Sequence, residues 1–337
     1  MGVIWPMSIE LSLGASVPRV RLPLSLRFNL FPSKEIYLII ILLIFFEAAL
    51  IFASPKLSFE TSVIYSFTEL MFLVPVFMWF LGLNLINSTK LSQRFFQSVV
   101  LLLVFAPMLT VLGVFLYIMF SLTASVPYAD NLLESWDRAL GFDWITYARF
   151  LAQHPLFTSA TLWCYQLMHP ALLLVGIEAI IVGETHRCKS LIMLTICSSI
   201  FTIILASFFP SLGTMSHLGG AEIAALFPPG TGVEHIESLI SLRQSETFLI
   251  DPSRMIGIAE FPSFHTVAAV LIIYAARGNI IRSIIFSIFS FLMIAATPIY
   301  GCHYFVDILA GIVVAMFFIT MERLYYPAVP KTQIARY

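Results

Sequence analysis

Residues 281–322 read IRSIIFSIFSFLMIAATPIYGCHYFVDILAGIVVAMFFITME. Two apolar runs, 281–299 and 303–322, each approach the roughly 20 residues that carry a helix across a bilayer. At the mouth of the second stand His303 and Asp307, four apart, so on a helix they share one face and can touch. Ionisable groups are costly in hydrocarbon and mark functional positions by default when a span contains them.

Outward from this stretch the apolar pattern recurs. Further candidate spans cover 36–54, 62–86, 97–122, 156–182, 190–209 and 263–277, eight in all with the two above. Pro75, Pro107 and Pro170 lie inside spans, where neighbouring helices can satisfy the freed carbonyls and permit kinks. Composition agrees. The 337 residues are 59% hydrophobic and 11% charged, with a mean hydropathy of +0.94, against about 25% charged residues in an ordinary soluble domain. The fold class expected is all-α: a polytopic integral membrane helical bundle of about eight transmembrane helices. The net charge of −1 leaves no basic excess for a nucleic-acid backbone. Cys164, Cys188, Cys197 and Cys302 have no CxxC spacing, so neither a zinc site nor a disulfide framework is expected. The run from Ile36 to Ala53 is longer than a signal-peptide core and reads as a retained helix.

Basic residues orient the chain. With the N-terminus inside, thirteen Lys and Arg fall on inside segments and five (Lys56, Arg138, Arg149, Arg243 and Arg254) on outside ones. Both termini are therefore expected in the cytoplasm. Residues 1–34 and 324–337 form cytoplasmic arms around one transmembrane domain, 35–323. A bacterial inner membrane is the default setting, with a Golgi-type lumenal face equivalent in topology. Two outside segments are more than connectors. Residues 130–152 place Leu132, Leu133, Trp136 and Leu140 on one helical face, which suits an interfacial helix at headgroup depth or an amphipathic helix packed on the protein. Residues 210–262 form a loop long enough to carry function.

The chemistry gathers on that outer side. Pro262-Ser263-Phe264-His265 opens the sixth span, and Gly301-Cys302-His303-Tyr304-Phe305-Val306-Asp307 opens the eighth. Asp307 accepting from one imidazole nitrogen of His303 leaves the other basic and aimed at a substrate. One oriented imidazole can attack an electrophile while His265 protonates the leaving oxygen. A phosphoester is a suitable electrophile, because its transfer depends on positioning and charge neutralisation. Arg254 and Arg243 are the nearest cations in sequence. Ser263 and the backbone N–H groups opening the sixth span could hold an anion. With nucleophile, acid and counter-charge supplied by side chains, no metal or cofactor is called for.

PSFH followed by GCHYFVD resembles the second and third signature motifs, PSGH and SRxxxGxHxxxD, of the type 2 phosphatidic acid phosphatase (PAP2) superfamily. With ESWDRALGFDW and RMIGIAEFPSFH, the chain looks most like the inositolphosphotransferase-type branch, which includes inositol phosphorylceramide synthases. The resemblance covers roughly 130–320 and implies a PAP2-like helical core. It also implies His303 as nucleophile, Asp307 as its orienter, His265 as general acid and Ser263 as a phosphate contact. The Ser-Arg pair of the third motif falls on Ala296 and Thr297, and the first motif, KxxxxxxRP, has no clear match. The missing cation is therefore assigned to Arg254 and Arg243, with Thr297 in the place of the motif arginine.

The implied activity is a membrane lipid phosphatase or phosphotransferase working through a phosphohistidine. Its donor would be a phospholipid, an isoprenoid phosphate or a sphingolipid phosphate, and its acceptor water, inositol, another polyol or a lipid hydroxyl. A lipid transporter or scramblase and a catalytically inactive PAP2-like binding protein are the alternatives. Gln166 and His169, mid-span in 156–182, could reach an acceptor pocket or bond between helices, and His217 lies in the long loop. Glu47, Glu69 and Glu178 are expected to pair with polar neighbours.

Overall fold

The computed structural model describes residues 34–54, 56–60 and 90–325. The expected span at 62–86, Glu69 and the terminal residues 1–33 and 326–337 lie outside these. The described chain is predominantly helical: α1 (Lys34–Ala53), α2 (Lys90–Leu122), α3 (Asp130–Ala139), α4 (Trp144–Gln153), α5 (Pro155–Gln166), α6 (Met168–Val182), α7 (Thr185–Phe208), α8 (Gly220–Ala224), α9 (Ile236–Gln244), α10 (Phe264–Ala275), α11 (Ile280–Tyr300) and α12 (Phe305–Tyr325). A three-residue strand after α1, β1 (Leu57–Phe59), pairs in parallel with β2 (Phe248–Ile250), Ser58 facing Leu249.

Among the described residues, four helices are long and apolar enough to cross a membrane: the Gln97–Leu122 part of α2, α7, α11 and α12. The count becomes five if α5 and α6, bent by 63° at their junction, are one span. This is fewer than the eight spans expected. Proline explains the bend. Pro170 offers no N–H and its ring crowds the carbonyl of residue 166, so the helix interrupts at Leu167. The helix at 264–275 is also short. Its 12 residues rise only about 18 Å, because Ser263 caps one end and Gly278, at φ +97°, turns the chain at the other.

That short helix is the centre of the bundle. Val267, Ala268, Ala269, Leu271 and Ile272 are fully buried, and α6, α7, α11 and α12 pack around them. Its C-terminal carbonyls, orphaned by helix geometry, are taken by arginines. Arg187 Nη1 donates to Ala275 O at 2.7 Å, and Arg282 Nε to Ala276 O at 2.7 Å. Glu178 joins the two guanidiniums, at 2.5 Å to Arg187 and 2.6 Å to Arg282. These are the polar neighbours expected for Glu178.

The stretch 130–152 forms two helices, not one. Gly141 turns the chain at φ +76°, and Asp143 caps α4 by accepting from Ile145 N and Thr146 N. α4 docks on the end of α11. Trp144, 2% exposed, donates from Nε1 to Pro298 O at 2.7 Å, and the Tyr147 hydroxyl to Ala295 O at 2.5 Å. Trp144 thus lies in the protein interior. These bonds hold the chain where α11 ends and the His303 segment begins.

Candidate active site

Two helix mouths meet at the site. At the first, Ser263 is the N-cap of α10, its Oγ accepting from Thr266 N at 3.4 Å, which sets His265 in the opening turn. At the second, α11 ends at Tyr300, and Cys302 adopts φ +55°, a conformation that L-residues seldom take and that reverses the chain within one residue. Thr297 O accepts from Gly301 N at 3.0 Å and His303 N at 3.4 Å, closing this turn. Asp307 then reaches back as in a capping box, its Oδ2 accepting from Tyr304 N at 2.9 Å. The same oxygen lies 3.2 Å from His303 Nδ1. Ser263 N donates to Asp307 O at 3.0 Å, joining the two mouths.

The α12 mouth is held from outside by α3. Asp130 and Asp137 are two helical turns apart and share a face. Asp137 accepts from Phe305 N and Val306 N, both at 2.8 Å, and so caps α12 from another helix. Burial nonetheless pushes this carboxyl up to about 6, leaving it charged at neutral pH. Asp130 Oδ1 accepts from the Tyr304 hydroxyl at 3.0 Å, from Ser211 Oγ at 2.7 Å and from Gly213 N at 3.1 Å. One carboxylate therefore ties the His303 segment to the start of the long loop.

A second carboxylate faces the imidazole of His303. Glu260 Oε2 lies 3.2 Å from Nδ1, while Oε1 lies 3.1 Å from His235 Nε2. Glu260 and His303 side chains are each 4% exposed. The Nδ1 hydrogen bond runs to Asp307, and Glu260 Oε2 is left at contact distance without one. Burial pushes the Glu260 carboxyl up to about 8, and burial with the nearby His303 charge brings His235 down to about 4. His265 stacks flat on Tyr165, ring centroids 3.8 Å apart at 11°, within electrostatic reach of His303.

The structure thus brings His303, Asp307, His265 and Ser263 together. Thr297 is fully buried and adjoins them through its backbone, while its hydroxyl donates to Met293 O at 2.9 Å. The two arginines sit elsewhere. Arg243 donates to Ala124 O at 3.2 Å and to Val126 O, with its guanidinium over the Tyr128 ring. Arg254, with a side chain 87% exposed, faces Asp251 at 3.5 Å. His217 pairs with Glu134 at 3.0 Å, and His169 sits edge-on to Phe105.

Glu260, His235, Asp130, Asp137 and Tyr165 were not singled out in the sequence. The seven-residue spacing of the two aspartates and the lone acid in Ile258-Ala259-Glu260-Phe261 were legible signals. His235 offered none. Among the described residues, Glu260, His303 and Asp307 have donor atoms within 4.8 Å of one another, close enough for a cation. Those atoms face each other around the Nδ1 proton, and the trio reads as a hydrogen-bonding network.

A family model described as PAP2 superfamily matches residues 131–321, more than half of the chain. The chain belongs to the PAP2 superfamily. No curated protein and no solved structure matches it. The PAP2 match runs from α3 into α12 and includes Asp137, Glu260, His265, His303 and Asp307, while α1, β1 and α2 lie outside it. Membership brings phosphatase-type chemistry on lipid phosphoesters, a phosphorylated lipid as substrate and a membrane setting. The long apolar helices agree with that setting.

Proposed function

We propose that this PAP2 protein is a lipid phosphotransferase or phosphatase in which His303 Nε2 attacks phosphorus and forms a phosphohistidine. The observation that carries the reading is the 3.2 Å contact between His303 Nδ1 and Asp307 Oδ2, which fixes the tautomer with Nε2 unprotonated. Asp307 is held in turn by Tyr304 N, so the orienter is itself oriented. His265, stacked on Tyr165, protonates the departing alkoxide and then, as a base, takes the proton of the acceptor hydroxyl. Ser263 and the first N–H groups of α10 face the phosphate.

The charge around the site bears on the donor. Among the described residues, the charges acting on Glu260 and His303 come from carboxylates and imidazoles, with no guanidinium. A dianionic phosphomonoester would meet the carboxylates of Asp307 and Asp130 with little compensation, whereas a phosphodiester brings a single negative charge. This supports a phosphodiester donor and a transfer of the inositolphosphotransferase type, with inositol, another polyol or a lipid hydroxyl as acceptor. Neither Arg243 nor Arg254 need take part. We place the site on the extracytoplasmic side, with both termini in the cytoplasm, on the distribution of Lys and Arg.

The test is to incubate purified protein and His303→Ala with phosphomonoester and phosphodiester lipids, with and without inositol, glycerol or ceramide. A new phosphorylated lipid that requires the acceptor and disappears in the variant establishes a transferase. Free phosphate or a released headgroup establishes a hydrolase. Turnover surviving in His303→Ala overturns the reading.

A further inference from the structure

Behind the attacking imidazole the structure holds more than one orienter requires. Glu260 stands on the segment leading into α10 and Asp307 on α12, yet both place an oxygen 3.2 Å from the same Nδ1. The other Glu260 oxygen meets His235, the residue before α9, at 3.1 Å. Glu260 Oε2, which faces His303, and His235 Nε2, which faces Glu260 Oε1, are both buried and without a hydrogen bond. Leaving such atoms unsatisfied costs about 1–3 kcal/mol each, and each calls for an explanation in a folded protein. The backbone carbonyl of Leu212 also faces the His235 ring. A ring donating there keeps its Nε2 lone pair toward Glu260. The result is a line of groups, His235, Glu260, His303, running from the buried side of the long loop to the reacting nitrogen.

We propose that Glu260 is a second positioning carboxylate for His303 and that His235 receives its proton as the ring becomes cationic. The inference rests on His303 as nucleophile. In the resting state Glu260 is protonated, Oε1–H toward His235 Nε2, and Asp307 alone carries negative charge against Nδ1–H. As Nε2 bonds to phosphorus, the bond from phosphorus to the leaving oxygen breaks and that oxygen takes the His265 proton. The ring now carries a positive charge. Glu260 passes its proton to His235 and becomes a carboxylate beside the phosphoimidazolium, so a buried opposite charge forms when it is needed. When the acceptor takes the phosphoryl group the proton returns. The titratable groups facing Glu260 are His235, His303, Asp307 and Asp130, with Cys302 and Tyr165 alongside.

The experiment uses the full chain in nanodiscs, as wild type, Glu260→Gln and His235→Gln, with melting and size exclusion confirming that each variant is folded. Turnover of whichever lipid the wild type accepts is followed from acid to alkaline pH. The expected wild-type rate rises with an alkaline limb. Glu260→Gln loses that limb and about 10²-fold in kcat, the scale of one proton-transfer group, with KM unchanged. His235→Gln keeps the limb and loses kcat. A merely structural role for Glu260 would lower the rate and leave the pH profile in shape, which overturns the proposal. A second readout needs no substrate: the ¹⁵N titration of His303. Its midpoint is expected to move by about one pH unit or more in Glu260→Gln, the effect of one charge at this range. An unmoved midpoint overturns the relay even if the enzyme is active. A wild type without turnover removes the functional reading, and the titration still decides the relay.

Discussion

Asp137 is the sharpest place to perturb the site without touching it. Its two oxygens accept from Phe305 N and Val306 N at 2.8 Å each, and the residue is 4% exposed. A charge-assisted hydrogen bond to a carboxylate contributes about 1.5–3 kcal/mol, and an orphaned buried N–H costs about 1–3 kcal/mol. Asp137→Ala removes both bonds and a negative charge at a helix N-terminus, so the loss is on the order of 3–6 kcal/mol. At about 2–4 °C per kcal/mol for a chain of this class, the melting midpoint should drop by roughly 6–24 °C. Asp137→Asn retains one acceptor but turns an NH2 toward a donor, and should fall between the two. His303 lies two residues before Phe305, so turnover should fall as well. A displacement of about 1 Å at a reacting group costs on the order of 10²-fold. The assay is intrinsic tryptophan fluorescence during a thermal ramp in one detergent, run beside Arg138→Ala, whose side chain is 76% exposed and should leave the midpoint unmoved. If Asp137→Ala melts with the wild type, the inter-helix cap is not what holds this mouth in place, and the reasoning fails.

Three further outcomes follow from the same geometry. Tyr165→Phe should keep activity, since the ring that stacks on His265 at 3.8 Å remains, whereas Tyr165→Leu should lower kcat with little change in KM; equal rates would show that stacking does not position the acid. A Cβ on Gly311 would lie 2.6 Å from Ser263 O and 3.0 Å from Thr266 Cβ, so Gly311→Ala should push α12 from α10 and cost both stability and turnover, measured by melting and assay. Burial raises Glu260 to about 8, so the folded chain binds this proton more tightly than the unfolded one. Its contribution to stability is complete below the ordinary carboxylate range and is lost as pH rises through about 8. The melting midpoint should therefore decline toward alkaline pH, and Glu260→Gln should flatten that decline.

What could be read in the sequence followed the range over which the causes act. His303 and Asp307 share one helical turn, and Pro262-Ser263 before an apolar run announces a capped helix, so both mouths were visible as local patterns. Helices were legible from apolar runs, but their interruptions depended on context. Pro170 marks a kink in the sequence but not its size, which in the structure is a 63° bend at Leu167. The partners of the site came from far along the chain. Asp137 and Phe305 are 168 residues apart and Glu178 and Arg282 are 104 apart, and no local pattern announces such pairs. Arg243 and Arg254 are the cations nearest the site in sequence, but tertiary packing sends one to the Ala124–Tyr128 segment and the other to solvent.

The central claim is covalent catalysis by His303, and the most direct measurement is to trap the phosphoenzyme. Purified protein is mixed with a lipid donor labelled at phosphorus, quenched in alkali within one turnover, digested and mapped. The expected result is an acid-labile, alkali-stable label on the peptide carrying His303, absent in His303→Ala and accumulating when the acceptor is withheld. Turnover without any labelled histidine, or a label that persists in His303→Ala, would contradict it.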